Sequence, residues 1–350
     1  MTDPTFSDAP VLPDGWSSRS PAADDLDRLV ELGTARRRAA RGSGSADAEA
    51  VTAEVVGRGS WTRRQLLACD ESGRVRAWAT VHDRAAGRTV VELTVDPDLA
   101  DAVADAVADG LVPWLETTAL AYAAERGLPG TQLDALLDEG DTRQQRWLGE
   151  ASYECTRRWL NMSRPLGADE HLPGPREGVV VRRVGVHDLG DGTTMPVAED
   201  LQAVHRVLEE SFEDHFNSYR ESFAEFAARL REDPGHRWDH WWLALVEVDG
   251  AQVPGGALVS SVLPADADGV EGSYIDYIGV HRRARGMGVA KALLHQVMTD
   301  AVERGRNRVG LEVDADSPTG ADGLYVAMGW QTRYVTQSWQ RDACSVGASM

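Results

Sequence analysis

Cysteine is scarce in this 350-residue chain: Cys69, Cys155 and Cys344 are the only three, an odd and scattered set. A disulfide framework or a zinc site would need paired spacing, so the thiols are expected to be reduced and no metal is expected. Long apolar runs are also missing. The stretch from Trp241 to Val248 is interrupted by Glu247 and followed by Asp249, far short of the roughly 20 residues that span a bilayer. The opening MTDPTFSDAP lacks a basic segment followed by an apolar one, which predicts no export and a cytoplasmic, membrane-free protein. Positive charge is in deficit, with 36 Lys and Arg against 56 Asp and Glu and a formal net charge of -20. That average field repels phosphate backbones and argues against a nucleic-acid partner. It suits a cationic substrate, or serves only solubility.

What is present is the material of globular domains: 42% hydrophobic and 26% charged residues, in a length that favours two domains. One plan occurs twice. In the second half, WWLALVEVDG (241–250) reads as a strand ending in an Asp-Gly turn, GGALVSSVLP (255–264) as its hairpin partner, and SYIDYIGVH (273–281) as a third strand. A helix from Gly288 to Arg304, a strand at 308–315, a short helix at 321–328 and a closing strand near 334–340 follow. The first half repeats this order, with strands at 63–70, 74–83 and 89–97, a long helix to Arg126, a helix at Thr142–Glu150 and a strand at 156–163. Landmarks keep a nearly constant offset: Gly73 and Gly250 lie 177 residues apart, Val95 and Val280 185, Trp159 and Trp339 180. The predicted class is α+β, two tandem domains at 14–165 and 179–342, each a twisted mixed sheet flanked by helices. The linker is 166–178, within a segment holding three prolines and three glycines. A monomer or a homodimer is expected.

Alternation along 273–281 puts Tyr274, Asp276, Ile278 and Val280 on one face, and the chain then turns at Gly286 and Gly288 into a helix striped with Val289, Leu293, Leu294, Val297 and Ala301. A helix N-terminus offers unpaired backbone N–H groups and the positive end of the dipole. Glycines let a ligand approach, and Arg282, Arg283 and Arg285 add charge, so the loop reads as an anion cradle fit for a diphosphate, or else as an ordinary strand-to-helix turn. The corresponding stretch of the first half, TVDPDLADAVADAVADG, holds Asp96, Asp98, Asp101, Asp105 and Asp109 with no glycine pair and no arginine. Carboxylates there would repel a diphosphate.

The string IGVHRRARGMGVAKALL resembles the signature of the GNAT superfamily of acetyltransferases, Gln/Arg-x-x-Gly-x-Gly/Ala, with Arg283, Gly286 and Gly288 in the three positions. The resemblance extends through LEVDADSPTGADGLYVAMGW (311–330) and covers 179–340; the first half shares element order alone. It implies acetyl-CoA as co-substrate, its pantetheine arm inserted between two splayed strands and bonded to backbone at Ile278, Gly279 and Val280. The diphosphate would lie on Arg283, Arg285, Gly286, Met287, Gly288, Val289 and Ala290. Ser317 stands where many relatives have an Asn that touches the cofactor.

The resemblance further implies an N-acetyltransferase acting on a primary amine of a small molecule by direct attack on the thioester. Tyr325 sits where the family places the general acid. Asp276 is the candidate base, with Glu312 and Asp314 in reserve, and an N–H near Ile278 is the oxyanion donor. Acceptor binding is expected from the stretch Glu210–Trp242, whose Phe and Trp residues line a pocket or pack in the core. The first domain is read as degenerate and non-catalytic. A tandem with one competent half is similar to the plan of mycothiol synthase; a non-catalytic acyl-CoA-sensing module is the alternative of another class.

Overall fold

The computed structural model describes residues 9–85, 87–190, 194–212, 221–316 and 320–344. Its first run of elements is β1 (Ser17–Arg19), α1 (Leu26–Arg41), α2 (Ala48–Val55), β2 (Arg63–Cys69), β3 (Val75–Ala85), β4 (Arg88–Val95), α3 (Asp101–Glu125), β5 (Gly130–Asp138), α4 (Thr142–Glu150) and β6 (Glu154–Pro165). The second run is β7 (Val179–Arg183), a small hairpin β8 (Val186–Asp188) and β9 (Thr194–Pro196), α5 (Ala198–Phe212), α6 (Phe223–Leu230), β10 (His236–Val248), β11 (Ala251–Leu263), β12 (Gly272–Val280), α7 (Val289–Glu303), β13 (Arg308–Asp314), α8 (Ala321–Ala327) and β14 (Gln331–Cys344). Apart from the small hairpin, the two runs have the same order: one strand, two helices, three strands, then helix, strand, helix, strand. The class is the mixed α/β fold expected of the repeat, with parallel pairs β4–β5 and β12–β13 inside otherwise antiparallel ladders.

Two compact units result, Met1–Leu160 with Asp314–Asp316 and Tyr334–Met350, and Asn161–Val313 with Ser317–Arg333. In the first unit the strand order is β1-β2-β3-β4-β5-β14, and β6 lies next to β14. The last strand of the chain therefore closes this sheet: Thr336 to Cys344 run antiparallel to Asp138 to Gly130. In the second unit the order is β13-β12-β11-β10-β7, and Asn161, near the end of β6, donates from Nδ2 to Glu312 of β13 at 3.1 Å. The segment 166–178 carries no helix or strand and lies against the second unit, with Leu166 N–H on Asn307 O at 2.8 Å and the His295 ring on Pro173 O at 3.0 Å.

Each unit has its own core. In the first, Val91, Leu93 and Val95 of β4 pack against Val107, Leu111 and Leu115 of α3. In the second, Leu201, Val204 and Leu208 of α5 and Phe226 of α6 pack on Trp241, Leu243, Ala257 and Val259. Burial of such side chains stabilises by roughly 1.5–3 kcal/mol each. Trp241 is 0% and Trp242 3% exposed, and both stand in β10, so these two are core residues and not a pocket lining. Sequence reading left β5 unassigned. Its stretch GTQLDALLD places Asp134 in the middle of an apolar run, and the structure compensates that carboxylate with Arg88 from β4.

Candidate active site

Pairing between β12 and β13 covers Ser273 to Ile275 opposite Val309 to Leu311. Beyond Ile275, β12 continues to Val280, paired with β11 on its other side across one register shift. The β13 side of residues 276–280 is thus an open strand edge, with backbone groups available to an extended ligand. The first unit opens at the corresponding residue: β4 pairs with β5 from Arg88 to Val90, and Val90 and Ile275 are 185 residues apart, the same offset as Val95 and Val280.

The two openings are finished differently. In the first unit, Gln144 of α4 is 4% exposed and donates its side-chain amide to Leu93 O inside the opening. Leu93 corresponds to Ile278, so in the first unit a side chain of the protein occupies the backbone acceptor at that position. Trp147 and Leu148 of the same helix line the opening beside it.

The α8 end of the second unit repeats α4 bond for bond with a change of side chain. Trp330 N–H donates to Tyr325 O at 3.1 Å and Gly329 N–H to Val326 O at 3.0 Å; in the first unit Tyr153 N–H donates to Leu148 O at 2.9 Å and Ser152 N–H to Gly149 O at 3.0 Å. Gly329 has φ +88°, and Ser152 holds the matching left-handed position at φ +65°. Tyr325 therefore corresponds to Leu148. Tyr325 is buried, its ring edge-on to Trp330 at 5.9 Å between centroids, and burial pushes its phenol up to about 12.

At Asp276 the expected alternation fails. Val259 pairs with Tyr277 and Ser260 with Ile275, which leaves Asp276 as the extra residue of a β-bulge. Across β11, Ile278 and Val280 lie opposite Leu258 and Gly256, on the α7 face, where a Cβ on Gly256 would meet Val289 and Leu293. Tyr274 instead lies opposite Ser261, and Ser261 Oγ donates to Asp276 Oδ1 at 3.2 Å. Ser261 alternates with Val259 and Ala257, so Tyr274 and Asp276 face α5 and α6. The predicted single face for Tyr274, Asp276, Ile278 and Val280 is corrected by that one inserted residue. In the first unit the corresponding stretch is flush, with Val81 opposite Val91 and His82 opposite Val90.

Asp276 is half-buried. Loss of water around its carboxyl, reinforced by the nearby Asp233 carboxylate, pushes it up to about 8, against the opposing pull of Ser261 and Arg229. Arg229 is held by Glu221 at 2.6 Å and lies 5.4 Å from the centre of the Tyr277 ring. His205 stacks near Phe223 and Phe226, 5.6 and 5.0 Å away. Burial, with Arg231, Arg237 and His240 nearby, pushes His236 down to about 4. Asp233, Arg229, Tyr277 and Ser261 had not been singled out from sequence; the bulge that gathers them around Asp276 is not visible in an alternation pattern.

The glycine cradle lies past the end of β12. Gly286 (φ +81°) and Gly288 (φ +84°) are left-handed, a conformation that strains any residue with a Cβ. Gly288 is the N-cap of α7 and no side chain caps it, so the first-turn amides of Val289, Ala290 and Lys291 have no partner within the helix. Open space surrounds Gly286. Arg282, Arg283 and Arg285 are exposed, Met287 half-buried, and Arg283 N–H donates to His281 Nδ1 at 3.2 Å. Val289 buries its side chain in the core while its amide stays at the helix start. Gly279 admits α5: a Cβ there would sit 3.0 Å from Leu208 and Ser211. Ser317 lies outside the described residues. Of the reserve carboxylates, Glu312 is bonded to Asn161, and Asp314 is 3.5 Å from Arg157.

In the first unit Asp96 fills the place after the strand and is fixed by Arg28 at 2.7 Å and Arg76 at 3.0 Å. Asp101 and Asp105 are bound to Arg143 and Arg146. Among the described residues no group of three or more His, Cys, Asp or Glu is arranged to hold a metal, and no helix is long and apolar enough to cross a membrane.

An open strand edge thus leads into a glycine cradle on a helix N-terminus, with a buried tyrosine on the following helix, in a mixed α/β fold. Residues 201–330, within the second unit, match the acetyltransferase (GNAT) family. Among solved structures the chain is similar to a GCN5-related N-acetyltransferase from Sphaerobacter thermophilus (24% identity, TM-score 0.70, 96% of this chain and 98% of that one). It is also similar to a tandem GNAT protein from the clavulanic acid biosynthesis pathway (12% identity, TM-score 0.65, 94% and 98%). A glucosamine N-acetyltransferase region of a fungal multi-domain β-N-acetylglucosaminidase matches 93% of this chain with 11% identity and a TM-score of 0.64, over 38% of its own length. These likenesses establish the tandem GNAT fold. Among curated proteins none matches the sequence.

Proposed function

We propose that the second unit transfers the acetyl group of acetyl-CoA to the primary amine of a small molecule, by direct attack and without a metal. The observation that carries this reading is the pairing, in one unit only, of an open β12 edge and an uncapped glycine cradle with Tyr325 in place of Leu148. The pantetheine arm adds to the edge at Ile278, Gly279 and Val280. The diphosphate lies on the amides from Gly286 to Ala290, with Arg283 and Arg285 beside it.

Asp276, facing α5 and α6, takes a proton from the acceptor ammonium, directly or through one water; a carboxyl at about 8 is matched to that task near neutral pH. The neutral nitrogen attacks the thioester carbon, and the carbonyl oxygen gathers charge against a backbone N–H near Ile278. The carbon–sulfur bond breaks, and the departing thiolate takes the proton of Tyr325, which burial keeps protonated until it is needed. The nitrogen's remaining excess proton then returns to the phenolate through solvent, and Asp276 releases the proton it took to solvent, which restores the site.

CoA release over a panel of amines tests the reading, with polyamines, aminoglycosides and cysteinyl glucosaminyl-inositol, the mycothiol synthase acceptor, in the first round. Transfer to small amines supports it. Acetyl-CoA binding without turnover on any amine would leave an acyl-CoA-sensing module.

A further inference from the structure

We infer that Arg176, which belongs to none of the family motifs, is a cofactor-binding residue that clamps the diphosphate of acetyl-CoA against the N-terminus of α7; the inference rests on the acetyl-CoA reading above. Arg176 lies in the irregular segment that precedes β7, yet this segment is laid along α7. His295, nearly two turns into the helix, contacts Pro173 O at 3.0 Å through Nδ1, which donates because a carbonyl can only accept. Three residues on, Arg176 O accepts the N–H of Val179 at 3.1 Å as the chain turns into β7.

Between those two anchors the Arg176 side chain crosses the N-cap. Measured from where a Cβ on Gly288 would stand, its Cδ is 3.1 Å, its Nε 3.4 Å and its Cγ 3.7 Å away. A Cβ at residue 288 would crowd this crossing, and the side chain would have to shift by a few tenths of an ångström. Arg176 is exposed and makes no ion pair among the described residues, unlike Arg164, Arg182 and Arg183 of the same unit, which are held by Glu170, Asp200 and Asp300. Its neighbours at the cradle are the exposed Arg282, Arg283 and Arg285, of its own sign. A guanidinium held among like charges, over uncapped amides, fits an anion that bridges them. The open edge of β12 independently directs an extended ligand toward the same loop. Diphosphate is the assigned contact because the crossing is at the N-cap itself, where the helix dipole is strongest.

The test is calorimetry of CoA and of dephospho-CoA, which lacks only the 3′-phosphate, on the full chain and its Arg176→Ala, Arg176→Glu and His295→Ala variants, with steady-state kinetics alongside. About tenfold weaker CoA binding is expected for Arg176→Ala, the loss of one charge-assisted contact. A larger loss is expected for Arg176→Glu. KM for acetyl-CoA should rise with kcat little changed, and the Arg176→Ala penalty should persist with dephospho-CoA. His295→Ala should weaken binding a few-fold in the native background and add nothing to Arg176→Ala. Unchanged affinity in Arg176→Ala would overturn the clamp, tighter binding would show that Arg176 obstructs the cradle, and a penalty lost with dephospho-CoA would move the contact to the 3′-phosphate. Absence of CoA binding by the native chain would instead bring down the acetyl-CoA reading, and the clamp with it.

Discussion

Tyr325 and Leu148 hold the same backbone position in two copies of one motif, each accepting an N–H from the aromatic residue five places on, Trp330 at 3.1 Å and Tyr153 at 2.9 Å. The backbone motif is the same whether a phenol or an isobutyl group stands there, and at this position the second unit carries a hydroxyl where the first does not. Tyr325→Phe keeps the ring against Trp330 and removes only the proton donor. A kcat lowered by about 10²-fold or more is expected, with KM for acetyl-CoA and thermal stability near native values. Equal kcat in the two proteins would make Tyr325 a packing residue.

The bulge gives Asp276 a second signature, in pH. A base must be unprotonated, so kcat should rise with pH through about 8 and level off above it. Stability should run the other way. Folding raises this carboxyl above its ordinary value near 3.9, so between about pH 4 and 8 the folded chain holds a proton that the unfolded chain has released. Its contribution to stability is therefore greatest below pH 4 and declines toward pH 8. Asp276→Asn should abolish the kcat rise and leave the protein more stable at pH 8, by on the order of 1–2 kcal/mol after allowance for solvent screening. A rate profile that keeps its rise in the variant would assign the base to another group.

How far the sequence carried each part follows from what its patterns encode. The glycine pair and the tandem order are local and periodic, and both correspond to structure at Gly286, Gly288 and the repeated element series. Side-chain alternation, by contrast, assumes an unbroken ladder. One extra residue in β12 relative to β11 re-aims Asp276 and cannot be seen without the partner strand. The closing strand was legible as a strand but its neighbour was not: nothing in YVTQSWQ says that Thr336 will face Asp138 of the first repeat. The function of Arg176 was hidden for another reason, since a proline- and glycine-rich segment reads as a spacer until His295 is seen to hold it.

Gly286 offers a direct test of the cradle. Its φ of +81° strains any substituted side chain by about 1 kcal/mol, and a carboxylate would project into the open space around it. Gly286→Asp should weaken acetyl-CoA binding by at least about 100-fold, because like charges meet at a helix N-terminus built for an anion, while the melting temperature moves only slightly. Native-like affinity in calorimetry would remove the cofactor from this loop.

The first unit makes the complementary prediction that each chain takes up one acetyl-CoA. Three features oppose a second: Gln144 occupies the bond to Leu93 O, Asp96 is locked by Arg28 and Arg76 where the cradle would be, and the adjoining helix begins Asp-Ala-Val-Ala-Asp without a glycine. They differ in kind. The plug is a neutral side chain that can be cut away, whereas the carboxylates repel a diphosphate whatever the shape of the opening. Calorimetry on the native chain should give a stoichiometry of one, and Gln144→Ala should leave it at one, since removing the plug exposes a strand edge but creates no anion site. Gly286→Asp should then lower the stoichiometry to zero at micromolar ligand. Residual binding of one equivalent in that variant would mean that the first unit holds the cofactor, and that its carboxylates are not the barrier argued from Asp96.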